Sequence, residues 1–370
     1  MPYEIVRYTP ELRDQVVALD RHLVSPDPDL NSRYFRWKHE ENPYVSGPIL
    51  FVAMNGDRVV GKRGFLGARW RVGNGGTTAA WLCICDLAVD PEHRGHHLFQ
   101  KITEVALPAL VEEGHQVLLN WSASPISYFG YLKTGWRLVG PYSRLVREAP
   151  GARLVRAFQR RARQLPLTWR YADRLGSFRT GFASFDHAWS KAAGRHAIEI
   201  STEPDPSAMA NLVARNAGSR AGHVRDQTYY GWRFRNPVAD YRFMFRRDAE
   251  LDGFLVLHAG RLNRFADIAI VDWEARSPTV FESLLTQLAR TGGYDSLSIW
   301  SATLNREEIA CLTRLGFRFA DDTRGNPDYQ PGPFIYVAAG SGIPGAVPPE
   351  APVPESLDGW NLRMAFSDYY

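Results

Sequence analysis

The chain has 370 residues, 45% of them hydrophobic, a formal net charge of +4 and a pI near 8.9. That length suits two domains with ample cores, and so slight a basic excess suits an anionic ligand better than a nucleic-acid surface. The cysteines, Cys83, Cys85 and Cys311, lack any zinc-ligand spacing, and neither a leader pattern nor a run of about 18 apolar residues is visible, so a cytoplasmic protein without a metal or a membrane span is expected.

Glu4 to Tyr8 reads as a strand, and Pro10 opens a helix with Leu12, Val16, Val17 and Leu19 on its apolar face. Ser25-Pro26-Asp27-Pro28-Asp29 breaks the chain, and Asn31 is placed to cap a second helix through Tyr34 and Trp37. Leu50–Met54 and Val59–Leu66 predict a hairpin around Asn55-Gly56-Asp57. A further strand, Ala68–Val72, turns at Gly73-Asn74-Gly75-Gly76 into the apolar run Trp81–Val89, broken only by Asp86. Asp90-Pro91-Glu92 ends that run, Arg94-Gly95-His96-His97 follows, and an amphipathic helix covers Leu98 to Glu113. Gln116–Trp121 is the next strand, Pro125–Thr134 the next helix, and Trp136–Val139 opens a last strand after Gly135.

A glycine-bearing loop between strand and helix points backbone N–H groups at one spot, to which the helix dipole adds partial positive charge. Arg94 adds a full charge beside it. Leu87-Ala88-Val89-Asp90-Pro91 followed by Arg94-Gly95 resembles the signature of the GCN5-related N-acetyltransferases. In that family a strand leads into Arg/Gln-x-x-Gly-x-Gly/Ala over the pyrophosphate of acetyl-CoA. The departure is His97, where the family carries a second glycine, and a side chain there either crowds the loop or touches phosphate. The resemblance implies that Leu87, Ala88, Val89, Arg94, Gly95, His96, His97, Leu98 and Phe99 bind acetyl-CoA or another short acyl-CoA as co-substrate. Tyr131-Leu132-Lys133-Thr134-Gly135-Trp136 is similar to the family's Tyr-x-Lys-x-Gly-Phe, which implies Tyr131 as the acid that protonates the leaving thiolate. Tyr128 on the same helix face is the substitute, and a packing tyrosine is the plainer alternative.

Residues 152–174 carry seven arginines against one acid, Asp173. They read as a solvated connecting helix, with an anion-binding edge or a membrane-surface helix as alternatives. The chain then repeats itself: Glu199 stands 195 residues after Glu4, and Trp232 stands 195 after Trp37. Asn236-Pro237 answers Asn42-Pro43, Trp300-Ser301-Ala302 answers Trp121-Ser122-Ala123, and Gly316-Phe317 answers Gly135-Trp136. Echoes in one order indicate a duplicated domain. The copies differ at the loop: Asp86 to Phe99 spans 13 residues, whereas Asp272 to Phe281 spans 9 and lacks glycine.

The fold class expected is α/β (α+β), two tandem acyl-CoA N-acyltransferase (GNAT) folds, each a mixed twisted sheet flanked by helices. Residues 1–148 form the catalytic unit, 149–197 a basic connector, 198–337 a copy without the phosphate loop, and 338–370 a Pro/Gly-rich tail whose end, 360–370, docks. Asp86 recurs as Asp272. It is either a general base with a raised pKa or, as recurrence favours, a satisfied structural aspartate. Trp37, Trp121 and Ser122 recur and read as framework. Tyr131 is replaced by Leu312 in the second copy. The activity expected is transfer of a short acyl group from acyl-CoA to a small-molecule primary amine by direct attack, with no nucleic-acid partner. Trp-Lys/Arg…Asn-Pro early in each repeat resembles acyltransferases acting on amino sugars, some of them nucleotide-linked. A peptide or antibiotic amine, or acyl-CoA binding without turnover, are the alternatives.

Overall fold

The computed structural model describes residues 3–72, 77–121, 125–150, 182–192, 198–216, 218–260, 266–320, 332–338 and 353–366. The arginine-rich stretch 152–174, the Gly73–Gly76 turn, Ser122 and most of the tail therefore lie outside the described residues. The first half runs β1 (Glu4–Arg7), α1 (Arg13–Ala18), α2 (Pro28–Phe35), β2 (Ile49–Asn55), β3 (Arg58–Val72), β4 (Thr77–Val89), α3 (Leu98–Glu112), β5 (Val117–Asn120), α4 (Pro125–Lys133), β6 (Arg137–Tyr142) and β7 (Arg144–Glu148). The second half runs α5 (Ala183–Ala192), β8 (Ile198–Ser201), α6 (Pro206–Arg215), β9 (Gly222–His223), α7 (Gln227–Arg233), β10 (Ala239–Arg247), β11 (Leu251–Gly260), β12 (Asp267–Ala275), α8 (Pro278–Thr291), β13 (Ser296–Trp300), α9 (Arg306–Arg314), β14 (Arg318–Phe319) and β15 (Gly332–Ala338).

Local chemistry explains most boundaries. The β2–β3 hairpin turns at Gly56, whose φ is +64°. Asp205, Ser277 and Asn305 each accept a backbone N–H at the start of α6, α8 and α9, which satisfies a donor the helix itself leaves open. Two expectations need correction. Val59–Leu66 and Ala68–Val72 are one continuous strand, β3, because both stretches pair with β4 without a break at Gly67. The second helix is capped by Asp27 rather than Asn31, and after Phe35 it widens into a π-helical turn, Arg36–Glu40.

The first sheet has the order β1-β2-β3-β4-β5-β15-β6, with β9 alongside β3, and the second β8-β10-β11-β12-β13-β7-β14. These are the same order, each with one strand from the other half inserted at the same place. The expected boundaries at 148 and 337 therefore do not separate the sheets: β7 lies between β13 and β14, and β15 between β5 and β6. Among the described strands only β4–β5 and β12–β13 pair in parallel, and α3 and α8 make the crossovers such pairs need.

A shared core lies between the halves. The indoles of Trp37 and Trp232 stack with centroids 5.5 Å apart, and each N–H donates to the other residue's carbonyl, at 3.0 and 2.8 Å. This reciprocity is what a two-fold relation between the halves produces. Asn42 and Asn236 repeat as well, each side chain accepting the N–H two residues on. Trp360 is fully buried, edge-on to Phe334 and Trp70 at 4.8 and 5.6 Å.

Candidate active site

The site begins where two strands part. β4 and β5 pair only at Leu82–Leu118 and Cys83–Leu119, while β4 runs on to Val89. Just beyond that point β4 carries a bulge. Gly64 faces Cys85 and Lys62 faces Ala88, so Arg63 alone stands across from Asp86 and Leu87. Asp86 takes a φ of +47° there. Such bulges re-aim side chains and interrupt pairing. Gly64 is required: a Cβ would come within 2.9 Å of His39 Cε1 and 3.0 Å of Cys85 Sγ.

After Val89 the chain makes a 3-10 turn, Pro91–His93, held by Asp90, which accepts the Glu92 N–H at 3.1 Å. Arg94, Gly95, His96 and His97 are exposed. Gly95 has a φ of +83°, and His97, at the N-cap of α3, lies in the left-handed region at φ +57° and ψ +28° with no side-chain cap bond. His97 thus adopts the conformation that a glycine in its place would adopt freely. No side chain caps the start of α3, so its opening N–H groups lack the side-chain acceptor that commonly satisfies them. Leu98 is buried and Phe99 half-buried, so the helix start is anchored while the loop is presented. His96 rests on the Tyr3 ring at 5.3 Å.

Asp86 is 6% exposed and its carboxylate is committed. Lys38 Nζ lies 2.7 Å from one oxygen, which also accepts from the Tyr34 hydroxyl at 3.2 Å, and His39 Nε2 lies 2.8 Å from the other. Burial alone would push the carboxyl up, but Lys38, His39 and Lys62 together hold it well below the ordinary carboxylate range. A base with a raised pKa is therefore the wrong reading. Burial lowers the pKa of His39, against its bond to Asp86. Nearby, Lys62 Nζ pairs with Asp20 at 2.5 Å, both fully buried. Lys38 enters the sequence reading only through the Trp-Lys/Arg pattern, and His39 belongs to no motif there. The π turn swings both toward Asp86, and the visible signal was that Phe234 answers His39 in the second half. Cys85, His39 and Asp86 offer ligand atoms within 4.8 Å of one another. Of these three, the Asp86 carboxylate is already paired with the Lys38 ammonium at 2.7 Å.

Tyr131 on α4 is 3% exposed, edge-on to Phe99 at 5.1 Å and to Trp136 at 4.9 Å. Its hydroxyl accepts a hydrogen bond from Arg63 Nη2. Arg63 was also missed: it is 3% exposed and lies over the Phe99 and Tyr131 rings at 5.1 and 5.5 Å. Its Nε and Nη1 have no partner among the described residues. Tyr131, Phe99 and the bulge thus meet, whereas Arg94 lies out in the loop, its Nε 3.4 Å from the Val89 carbonyl. Tyr128 packs half-buried beside the same cluster.

The second half keeps the frame without the openings. β12 and β13 also pair over only three residues, Asp267 to Ala269. Asp272 is buried against Arg225 at 2.7 Å and Tyr230 at 3.2 Å. Ser277 caps α8, its hydroxyl accepting from Val280 N–H, and so fills the place left open at α3. Leu255 and Leu312 stand where Arg63 and Tyr131 stand in the first half, and both are fully buried.

Residues 7–139 match the family model described as "Acetyltransferase (GNAT) domain". No curated protein matches the chain. Among solved structures, a GCN5-related N-acetyltransferase from Anabaena variabilis is similar at 13% identity and a TM-score of 0.57, over 90% of this chain and 72% of that one. A conserved protein of unknown function and probable N-acyltransferase from Enterococcus faecalis gives 10% and 0.57 over 93% and 74%. A GCN5-related N-acetyltransferase from Kribbella flavida gives 13% and 0.55 over 93% and 73%. Identity this low carries the fold alone.

Proposed function

We propose, from the premise that residues 7–139 are a GNAT acetyltransferase domain, that this protein moves a short acyl group from acyl-CoA to a primary amine by direct attack. The observation that carries the reading is the contrast between the halves. In the first, an uncapped helix start follows Arg94-Gly95 beside a parted strand pair. In the second, Ser277 closes the corresponding helix.

The residues fit acyl-CoA as the donor. The opening amides of α3 and the Arg94 guanidinium suit its diphosphate. The edge of β4 from Leu87 to Val89, beyond the ladder with β5, suits its amide-bearing arm. One N–H of that edge is suited to polarise the thioester carbonyl, a contact whose loss typically costs about 10²–10³ in kcat. Tyr131 supplies the proton for the departing sulfur. Asp86 holds Lys38, His39 and Tyr34 beneath the site, and the amine sheds its proton to water.

The acceptor reading is an amino sugar, nucleotide-linked ones included. It rests on the Trp-Lys/Arg…Asn-Pro pattern and is a fold-level analogy. The test measures thiol release from acetyl-CoA with a panel of amino sugars, nucleotide-linked amino sugars, peptides and aminoglycosides. Turnover with the sugars is expected. Turnover with peptides or aminoglycosides alone replaces the acceptor, and CoA binding without turnover of any acyl donor leaves a binding protein.

A further inference from the structure

Arg63 is a buried charge in the site to which the acyl transfer outlined above assigns no role. A guanidinium has five N–H donors and stays charged. Burying one with donors unmet carries a large desolvation cost unless a partner arrives. Here the group is 3% exposed, with Nε and Nη1 unpartnered among the described residues. It lies against both the ring of Phe99, at the start of α3, and that of Tyr131, which themselves meet edge-on. Arg63 donates through Nη2 to Tyr131 Oη. The phenol oxygen is therefore an acceptor toward Arg63, and its own proton points elsewhere.

The duplication supplies the control. Gly61 pairs with Val89 and Gly253 with Ala275, so Arg63 and Leu255 are equivalent. Trp136 N–H bonds to the Tyr131 carbonyl and Phe317 N–H to the Leu312 carbonyl, so Tyr131 and Leu312 are equivalent. The polar pair of the first half is an apolar pair in the second, where both leucines belong to one hydrophobic cluster. The fold accepts leucine at both places, so neither Arg63 nor Tyr131 is demanded by packing.

We propose that Arg63 and Tyr131 form one leaving-group site, with Arg63 providing the positive charge that stabilises the CoA thiolate. The inference rests on the acyl-CoA reading. As the amine nitrogen bonds to the acyl carbon, the carbon–sulfur bond breaks and its electron pair leaves on sulfur. Tyr131 passes its hydroxyl proton to that sulfur while Arg63 donates an unused N–H to it. The proton shed by the amine goes to water, from which Tyr131 is reprotonated.

Two measurements decide this. The first needs no turnover: CoA is bound to the intact protein, and its thiolate is followed by ultraviolet absorbance as pH is raised. Bound CoA should ionise at lower pH than free CoA in the wild type and lose that shift in Arg63→Leu. The second is kinetic. Arg63→Leu should lower kcat about a hundredfold with little change in KM for acyl-CoA. Tyr131→Phe should lower kcat comparably, and the double variant should fall no further than the worse single one. Arg63→Lys should recover part of the loss. Arg63→Leu should also melt no lower than wild type, since it mimics the second half. A wild-type thiol that titrates like free CoA overturns the inference, as does an unchanged kcat in a folded Arg63→Leu, while turnover by the wild type leaves the broader reading standing. Failure of CoA to bind at all overturns both together.

Discussion

Asp86 shows how one residue can look catalytic in the sequence and act as a keystone in the fold. Its carboxylate joins Lys38, His39 and Tyr34 in a site closed to solvent, and removing one partner of a buried pair leaves the other charge uncompensated. Asp86→Asn should therefore cost about 3–5 kcal/mol, read from the urea midpoint, and an unchanged midpoint would refute the network. His223 makes a pH prediction. It is buried among Tyr44, Trp70, Tyr229 and Phe366. Burial lowers its pKa from 6.5 to about 3; the bond to the Val224 carbonyl opposes this, and Arg233, Arg225 and Arg69 add smaller lowering contributions. The unfolded chain thus binds a proton below pH 6.5 that the folded chain refuses until about pH 3. Its contribution is present above 6.5 and declines as pH falls, by about 1.4 kcal/mol per pH unit. Stability measured from pH 7 to 5 should drop less steeply in His223→Phe; an identical slope would show that His223 is not held neutral.

At the scale of elements, the loop from Asp90 to the start of α3 combines a left-handed Gly95 with a left-handed His97. A non-glycine residue there carries roughly 1–2 kcal/mol of backbone cost, partly offset by the greater freedom that glycine loses on folding. His97→Gly should then raise stability by up to about 1 kcal/mol and leave CoA affinity equal or better. A lower melting temperature or weaker CoA binding would show instead that the imidazole holds the loop or the ligand. The π turn after α2 matters in the same way. It turns Trp37 to the shared core while Lys38 and His39 reach Asp86, a set of directions that continued α-helical geometry would disturb.

At the scale of the molecule, each sheet borrows a strand. β15 contributes Phe334, Ile335, Tyr336 and Val337, all buried, to the first sheet. Each large apolar side chain is worth about 1.5–3 kcal/mol when buried, and its absence would also bare the facing edges of β5 and β6. A fragment of residues 1–150 should fail to fold, and the intact chain should unfold in one transition. A cooperative melt of that fragment alone, or two separate transitions of the whole, would show that the exchange is dispensable. Trp37, Trp232 and Trp360 belong to one core that spans both halves, which points the same way.

Much of the architecture was already determined by local pattern. Short apolar runs bounded by turn residues marked the strands, Asn55-Gly56 the hairpin, the apolar face of 98–112 its helix, and the constant spacing of Trp37 and Trp232 the two related halves. These are properties of neighbours along the chain, and a sequence records them directly. The strand exchange was not legible, because β7 and β15 carry the same apolar pattern whichever sheet they join. Nor was the polar interior of the site. Lys62 and Arg63 are consecutive, so a strand must send them to opposite faces, and exposure of at least one is the ordinary expectation. Only packing from both sides, by Asp20 on one face and by Phe99 and Tyr131 on the other, buried them both. Asp86 was noticed in the sequence. Its partners came from a helix about 50 residues earlier, and only the tertiary structure could decide that its charge was already met.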